Sequence, residues 1–426
     1  MNDKILLERR NRLIGKKAPL FYNEPLHIIG GEGVWLYDAD GKRYLDAYNN
    51  VPNVGHCHPH VVEALYKQAQ ELNIHTRYLH ENIVNYGEKL LGKLDDSLDM
   101  LFLTCTGTEA NELALRIARE STGRQGIICS NATYHGNSAA VYPLATMFNQ
   151  GLPLGANVKS VDFPDSYHKL NDLEGEALEN AYADQVKQAI EEFNQDGTGF
   201  AGMIICPIFA NEGLPDKPSG YLDRIAKYVR EAGGVLIFDE VQSAFGRTGK
   251  WWGHQNSSVV PDILVLGKPM GNGHPIGATI CSSELGNGFR DNSMYFNTFG
   301  GNPVSCAVGM AVLEVIENES LVENSANVGN YLKQKLWTLS EKHELIGDVR
   351  GSGLFFGVEL VNDRMKKTPA TIEAGKLINQ MKEQGVLISR LGINDNILKM
   401  RPPICFSHAH ADMLIEHLDQ AFTALY

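Results

Sequence analysis

Short apolar runs separated by amphipathic stretches set the rhythm of the middle of this chain. Between about residues 100 and 280, apolar runs at 100–104, 126–129, 202–206, 235–239 and 262–266 alternate with stretches of helical periodicity. This is the βαβ pattern of a mostly parallel sheet covered on both faces. Apolar residues at helical spacing predict helices over 60–73, 82–94 and 109–121. Earlier in the chain, the runs 33–38 and 42–46 flank Asp40-Gly41, and an Asp-Gly step between two such runs predicts a hairpin. Beyond residue 303 the pattern predicts helices at 303–317 and 320–340, strands near 346–360 and 397–401, and helices at 371–384 and 409–423. The fold class is α/β: a large domain with a mostly parallel sheet and a smaller α+β domain. The division expected is 1–60 as an N-terminal segment contributing to the small domain, 61–305 as the large domain and 306–426 as the C-terminal small domain. Neither end has enough apolar sequence to form a core alone.

Composition narrows the partners. With 426 residues, 43% hydrophobic and 21% charged, the chain has the balance of a soluble globular protein large enough for two domains. A formal charge of −13 argues against a nucleic-acid or anionic-membrane partner. No apolar run reaches the roughly 18 residues that a membrane helix needs. The N-terminal stretch carries acids and no long apolar segment, so no signal peptide is expected and a cytoplasmic location is. The 7 cysteines are scattered, odd in number and without a C-x-x-C pair, which reads as reduced thiols, several of them core packing.

Candidate chemistry gathers at the ends of the apolar runs. Ile263-Leu264-Val265-Leu266-Gly267 leads directly into Lys268, then Pro269 and a glycine-rich turn. A cation at the buried end of a strand is costly unless something uses it. Asp239 ends the run Val235-Leu236-Ile237-Phe238 in the same way. Open parallel sheets bind ligands at the carboxyl ends of their strands. An acid and an amine delivered there match pyridoxal phosphate, whose ring nitrogen takes a carboxylate and whose aldehyde takes a lysine as a Schiff base. Thr106-Gly107-Thr108 follows a strand and opens a helix, which makes either a phosphate site or an ordinary helix cap. Tyr134-His135-Gly136 follows another strand, where an aromatic either stacks on a flat ring or packs on the surface. Thr298, in Asn297-Thr298-Phe299-Gly300-Gly301, is a further phosphate contact or a cap. His56, His58 and His60, and separately His408 and His410, lack standard zinc-site spacing, so no metal is expected.

Taken in order, Thr-Gly-Thr-Glu-Ala-Asn (106–111), Tyr-His-Gly (134–136), Asp-Glu-Val-Gln (239–242) with Phe-Gly-Arg-Thr-Gly (245–249), Gly-Lys-Pro-Met-Gly-Asn-Gly (267–273) and Asn-Thr-Phe-Gly-Gly-Asn-Pro (297–303) resemble the class III aminotransferase family over nearly the whole chain. The resemblance implies the PLP-dependent transferase fold type I and a homodimer with sites at the subunit interface. By motif it implies Lys268 as the Schiff-base lysine, Asp239 as the partner of the ring nitrogen and Gln242 near the phenolic oxygen. Tyr134 and His135 would flank the ring. Gly107 and Thr108 would form the phosphate cup, with Thr298 a phosphate ligand from the partner subunit. Within the family, Asn49-Asn50-Val51, Val54-Gly55-His56-Cys57-His58-Pro59, Leu79-His80-Glu81-Asn82, the His274-Pro275 extension of the lysine motif and Leu398-Lys399-Met400-Arg401-Pro402-Pro403 resemble the ethanolamine-phosphate and phosphohydroxylysine phospho-lyase branch.

Two departures bear on the substrate. Amino-acid aminotransferases of this class often carry an arginine three residues before the Pro-Pro pair, where this chain has Lys399; a lysine lacks the fork that matches a carboxylate. Cys206-Pro207 stands where the family often has Glu-Pro. The expected activity is a phospho-lyase acting on a small phosphorylated amine such as O-phosphoethanolamine, with Arg77, Lys399 and Arg401 as candidate substrate-binding cations. The alternatives are a class III ω-aminotransferase moving an amino group to a keto acid, and a non-catalytic PLP-binding protein.

Overall fold

A computed structural model describes residues 3–148 and 154–425. Its centre is a seven-stranded sheet in the order Met100–Thr104, Gly277–Cys281, Ile263–Leu266, Val235–Asp239, Phe200–Ile205, Gly126–Ser130, Val158–Val161. The last five run parallel, and Gly277–Cys281 is antiparallel to both of its neighbours. The parallel strands Gly126–Ser130, Phe200–Ile205, Val235–Asp239 and Ile263–Leu266 are buried along their whole length, as strands covered on both faces must be. Helices Gly107–Thr122, Gly175–Gln195 and Tyr221–Glu231 supply covering layers. Each buries an apolar face, such as Leu113, Ala114, Ile117 and Ala118 of the first.

Two strands of this central sheet escape the sequence reading. Gly277–Cys281 follows the lysine turn after a Pro-Ile-Gly stretch that reads as loop, yet it fills the slot between two neighbours. Val158–Val161 is an edge strand with Lys159 and Ser160 at its centre, so no continuous apolar run announces it. The apolar stretch 346–360 is two strands, Ile346–Ser352 and Phe355–Asp363, folded back at Gly353, whose φ of +54° suits a glycine. They join Ile397–Met400 and Ser389–Leu391 in an antiparallel sheet. The N-terminal ribbon Ile28–Glu32, Trp35–Asp38, Arg43–Asp46 is completed by Val386–Leu387 from the far end of the chain, paired in parallel through Val386 and Leu45.

The seam between these parts lies beside the lysine turn. Asn272, left-handed at φ 48°, ends the turn Lys268–Gly271. Its side chain accepts from Val54 N at 3.0 Å and donates to Gly55 O at 2.8 Å. Arg247, 1% exposed, crosses the same seam. Its guanidinium donates to Leu354 O at 2.9 Å, to Asn53 Oδ1 at 2.8 Å and to Pro402 O. Removing that donor leaves three buried acceptors short of a partner. Arg247→Met is expected to lower stability by about 3 kcal/mol or more, read as a lower melting temperature and urea midpoint of the purified protein.

Candidate active site

Asp239 reaches the carboxyl end of its strand with its side chain buried. His135 Nδ1 lies 2.7 Å from Oδ2, Asn111 Nδ2 donates to the same oxygen at 2.9 Å, and Val241 N donates to Oδ1 at 3.0 Å. Burial by itself pushes this carboxyl up; the bonds and the charge of its neighbours, His135 foremost, outweigh it and hold the group below the ordinary aspartate value. Asn111 also donates to His135 O at 2.7 Å, and Thr133 Oγ1 stands 3.3 Å from His135 Nε2. With Nδ1 as the donor to Asp239, the ring is fixed in orientation and tautomer.

The facing wall is the start of helix Gly107–Thr122. Thr106 caps it, its hydroxyl accepting from Glu109 N at 3.1 Å. A side chain at Gly107 would meet Val241 Cγ2 at 2.8 Å, and one at Gly136 would meet Thr108 Oγ1 at 2.7 Å. These two glycines let the turns approach each other. Between the walls lies a cavity of about 150 Å³. Gly107, Thr108, Tyr134, His135, Asp239, Gln242 and Lys268 all line it, together with Thr106, Gly136, Cys206, Asn211 and Val241.

Lys268 opens the turn after strand Ile263–Leu266. Lys268 is itself exposed and lines that cavity. Burial lowers the amine to about 8, Arg401 adds to the effect, and Asp239 opposes it. Arg401 and Lys399 stand behind the cavity wall. Arg401 donates to Gln242 Oε1 and, through Nε, to Tyr48 O at 2.9 Å, with its guanidinium 4.6 Å from the Tyr48 ring centre. Lys399 Nζ donates to Ala210 O at 3.3 Å and lies 5.5 Å from the Phe355 ring centre. Burial drives its amine well below the lysine value, and the charges of Arg401 and Lys268 drive it further.

Two candidates from the sequence lie elsewhere on this chain. Arg77 stacks 4.7 Å from the ring centre of Phe296 and lines a separate cavity with Asn297 and Gly300. Thr298 is exposed in that neighbouring loop and does not line the Lys268 cavity. His56, His58 and His60 each face a different carboxylate, those of Asp46, Glu319 and Glu314. The sequence reading passed over Asn111, which lies one helical turn beyond Gly107 and Thr108 and so on their face; that spacing was a usable signal. Asn211 and Glu212 sit in an irregular loop with no periodicity to mark them.

The family model described as Aminotransferase class-III matches residues 22–422. This chain belongs to the class III aminotransferase family. A relative from Arabidopsis thaliana, Alanine--glyoxylate aminotransferase 2 homolog 2, mitochondrial, is 42% identical over 99% of this chain and 88% of its own length. Ethanolamine-phosphate phospho-lyase homolog 1 of Caenorhabditis elegans is 36% identical over 99% of this chain and 93% of its own. A solved phospholyase from Arthrobacter in complex with phosphoethanolamine superposes with a TM-score of 0.96 at 45% identity, covering 99% of this chain and 100% of that one. The fold is the type I fold of PLP-dependent transferases, the protein is an enzyme of that group, and pyridoxal 5'-phosphate is its cofactor. Among the described residues, no helix is long and apolar enough to cross a membrane.

The residues present fit that cofactor. An ionised carboxylate, a low-pKa amine and a helix N-terminus flanked by a threonine hydroxyl surround one cavity. Because a neutral amine is the nucleophile, the rate of cofactor capture by the cofactor-free protein is expected to rise with pH and level off above about 8. Stopped-flow absorbance after mixing with pyridoxal phosphate measures it; a rate still climbing at pH 10 contradicts the low amine pKa.

Proposed function

We propose that this enzyme is a phospho-lyase that removes phosphate from a small phosphorylated amine such as O-phosphoethanolamine. With one water consumed, the products are an aldehyde, ammonia and phosphate. One observation carries the reading: among the described residues Lys268, Lys399 and Arg401 cluster at the site, and none has a carboxylate within ion-pair distance. Asp239 is committed to His135, Asn111 and Val241. A cavity backed by basic groups without a paired carboxylate favours a dianionic substrate, whose charge would in turn hold the protons on their amines. Lys399, a point charge in place of a forked guanidinium, suits a phosphate better than a planar carboxylate. The 45% identical phospholyase solved with phosphoethanolamine supports the same choice.

The roles follow from position. When bound, pyridoxal phosphate supplies an electron sink for the bond broken at the amine-bearing carbon. Asp239, ionised, holds the proton on the ring nitrogen. Lys268 takes the proton from the amine-bearing carbon, a task matched to an amine lowered to about 8. Gly107 and Thr108 hold the cofactor phosphate at the helix N-terminus. Tyr134 and His135, which line the cavity, would flank the ring, and Gln242 would meet the phenolic oxygen. Lys399 and Arg401 draw in the substrate phosphate, which departs with the electron pair of its C–O bond.

A homodimer completes the site in this reading. Leu79, Met294 and Phe299 are 103%, 89% and 70% exposed. They belong to two adjacent segments that Arg77 and Phe296 join. An apolar patch of this kind fits a second copy of the chain, and it carries Arg77 and Thr298 toward that copy's cavity.

The aminotransferase reading draws on the 42% identical Arabidopsis relative, and one assay separates the two. Incubated with O-phosphoethanolamine and no keto acid, the holoenzyme is expected to release phosphate and acetaldehyde over many turnovers. Amino transfer to pyruvate without phosphate release defeats the proposal. Lys268→Ala is expected to abolish turnover while leaving the cofactor removable by dialysis. Lys399→Ala is expected to lower kcat/KM for the phosphorylated amine by roughly 10- to 100-fold. An equal loss for an unphosphorylated amine would argue against a phosphate contact. Phe299→Asp is expected to yield monomers in sedimentation and lose activity.

A further inference from the structure

One side-chain amide joins the residues on either side of the cavity. Asn211 Nδ2 donates to Tyr134 O at 3.1 Å, and Asn211 Oδ1 accepts from Gln242 Nε2 at 2.8 Å. Gln242 Oε1 in turn accepts from Arg401 Nη1. The direction of this chain is forced at both ends. A backbone carbonyl only accepts, so the Asn211 amino group must face Tyr134. A guanidinium only donates, so the Gln242 oxygen must face Arg401. Neither amide can flip without breaking its bonds on both sides.

The loop that carries Asn211 is itself held in place. Glu212, 2% exposed, accepts from Ser130 Oγ at 2.6 Å and from the Asn211 backbone N at 3.0 Å. Arg350 Nε donates to Gly213 O at 2.9 Å. Phe209 and Leu214 both adopt left-handed backbone, φ 49° and 58°, which is costly for large residues and persists only where the surroundings impose it. Such a loop is built to place one side chain.

We propose that Asn211 is a positioning residue for the cofactor: it locks the Tyr134 turn and the Gln242 side chain into one arrangement and ties both to Arg401. The inference rests on the pyridoxal phosphate assignment and stands whichever reaction follows, so it is tested by cofactor binding rather than turnover. Cofactor-free wild type, Asn211→Ala, Gln242→Ala and the double variant are titrated with pyridoxal phosphate, and the visible circular dichroism of the bound cofactor is recorded. Asn211→Ala loses two hydrogen bonds and is expected to bind the cofactor roughly 5- to 30-fold more weakly, with a diminished dichroic band. Because the bond between the two side chains is already lost in either single variant, the loss in the double variant is expected to be smaller than the product of the two single losses. Losses that multiply, or an Asn211→Ala protein with affinity and band within twofold of wild type, overturn the proposal. Should Asn211→Ala fail to fold, Asn211→Ser takes its place in the same cycle with the same criteria. Failure of the phospho-lyase assay leaves this measurement intact, and the reverse also holds.

Discussion

A buried carboxylate that stays ionised is the condition on which the site depends. Desolvation favours the neutral acid, and a neutral Asp239 could not hold a proton on a pyridine nitrogen. The chain answers with donors from separate elements: His135 from the loop after one strand, Asn111 from a helix, and the backbone of Val241 two residues past the end of Asp239's own strand. The parallel sheet brings these elements together, because every crossover returns its loop to the same edge. The sheet thus serves electrostatics as much as shape.

The second constraint is a group of basic side chains that, among the described residues, have no carboxylate within ion-pair distance. Beyond the effect of burial, Arg401 lowers the pKa of Lys268, Lys399 and Arg247, and Lys268 lowers that of Lys399; among the described residues Arg247 too has no carboxylate within ion-pair distance. Keeping cations buried and unpaired opposes stability. The structure tolerates them by giving the guanidiniums and Lys399 carbonyl or amide oxygens and aromatic faces. Such partners hold a cation without cancelling its charge, which remains available to an incoming anion. The same contacts stitch the N-terminal segment to the C-terminal sheet, since Tyr48 and Asn53 belong to the first, and Leu354 and Pro402 follow or precede strands of the second. Stability at the seam and potential at the site come from one set of side chains.

Legibility in the sequence followed the strength of local signals. Fully buried strands announce themselves as continuous apolar runs, and Val235–Asp239 was readable to the residue. Lys268 and Asp239 stood out because a charge at the end of such a run is anomalous. Gly107, Thr108, Tyr134, His135 and Gln242 came through motif order, and all line one cavity with them. The strand Gly277–Cys281 did not come through, because its place depends on the neighbours that accept it and not on its own run. Thr298 was grouped with the site by motif and Arg77 only as a candidate cation for the substrate, and within a single chain neither lines the Lys268 cavity.

What the sequence determined by itself was the periodic frame and the chemical identities at its breaks: alternating strands and helices, an acid, an amine and a glycine-threonine helix start. Each of those is a property of a short stretch, and short-range preferences are written locally. What only the tertiary structure decided was which carboxylates find cations and which cations go without, and that Asn211, unmarked in an irregular loop, bridges Tyr134 and Gln242. Those outcomes depend on distances between residues far apart in the chain. Burial and charge pairing act through space, so no local pattern of residues could have announced them.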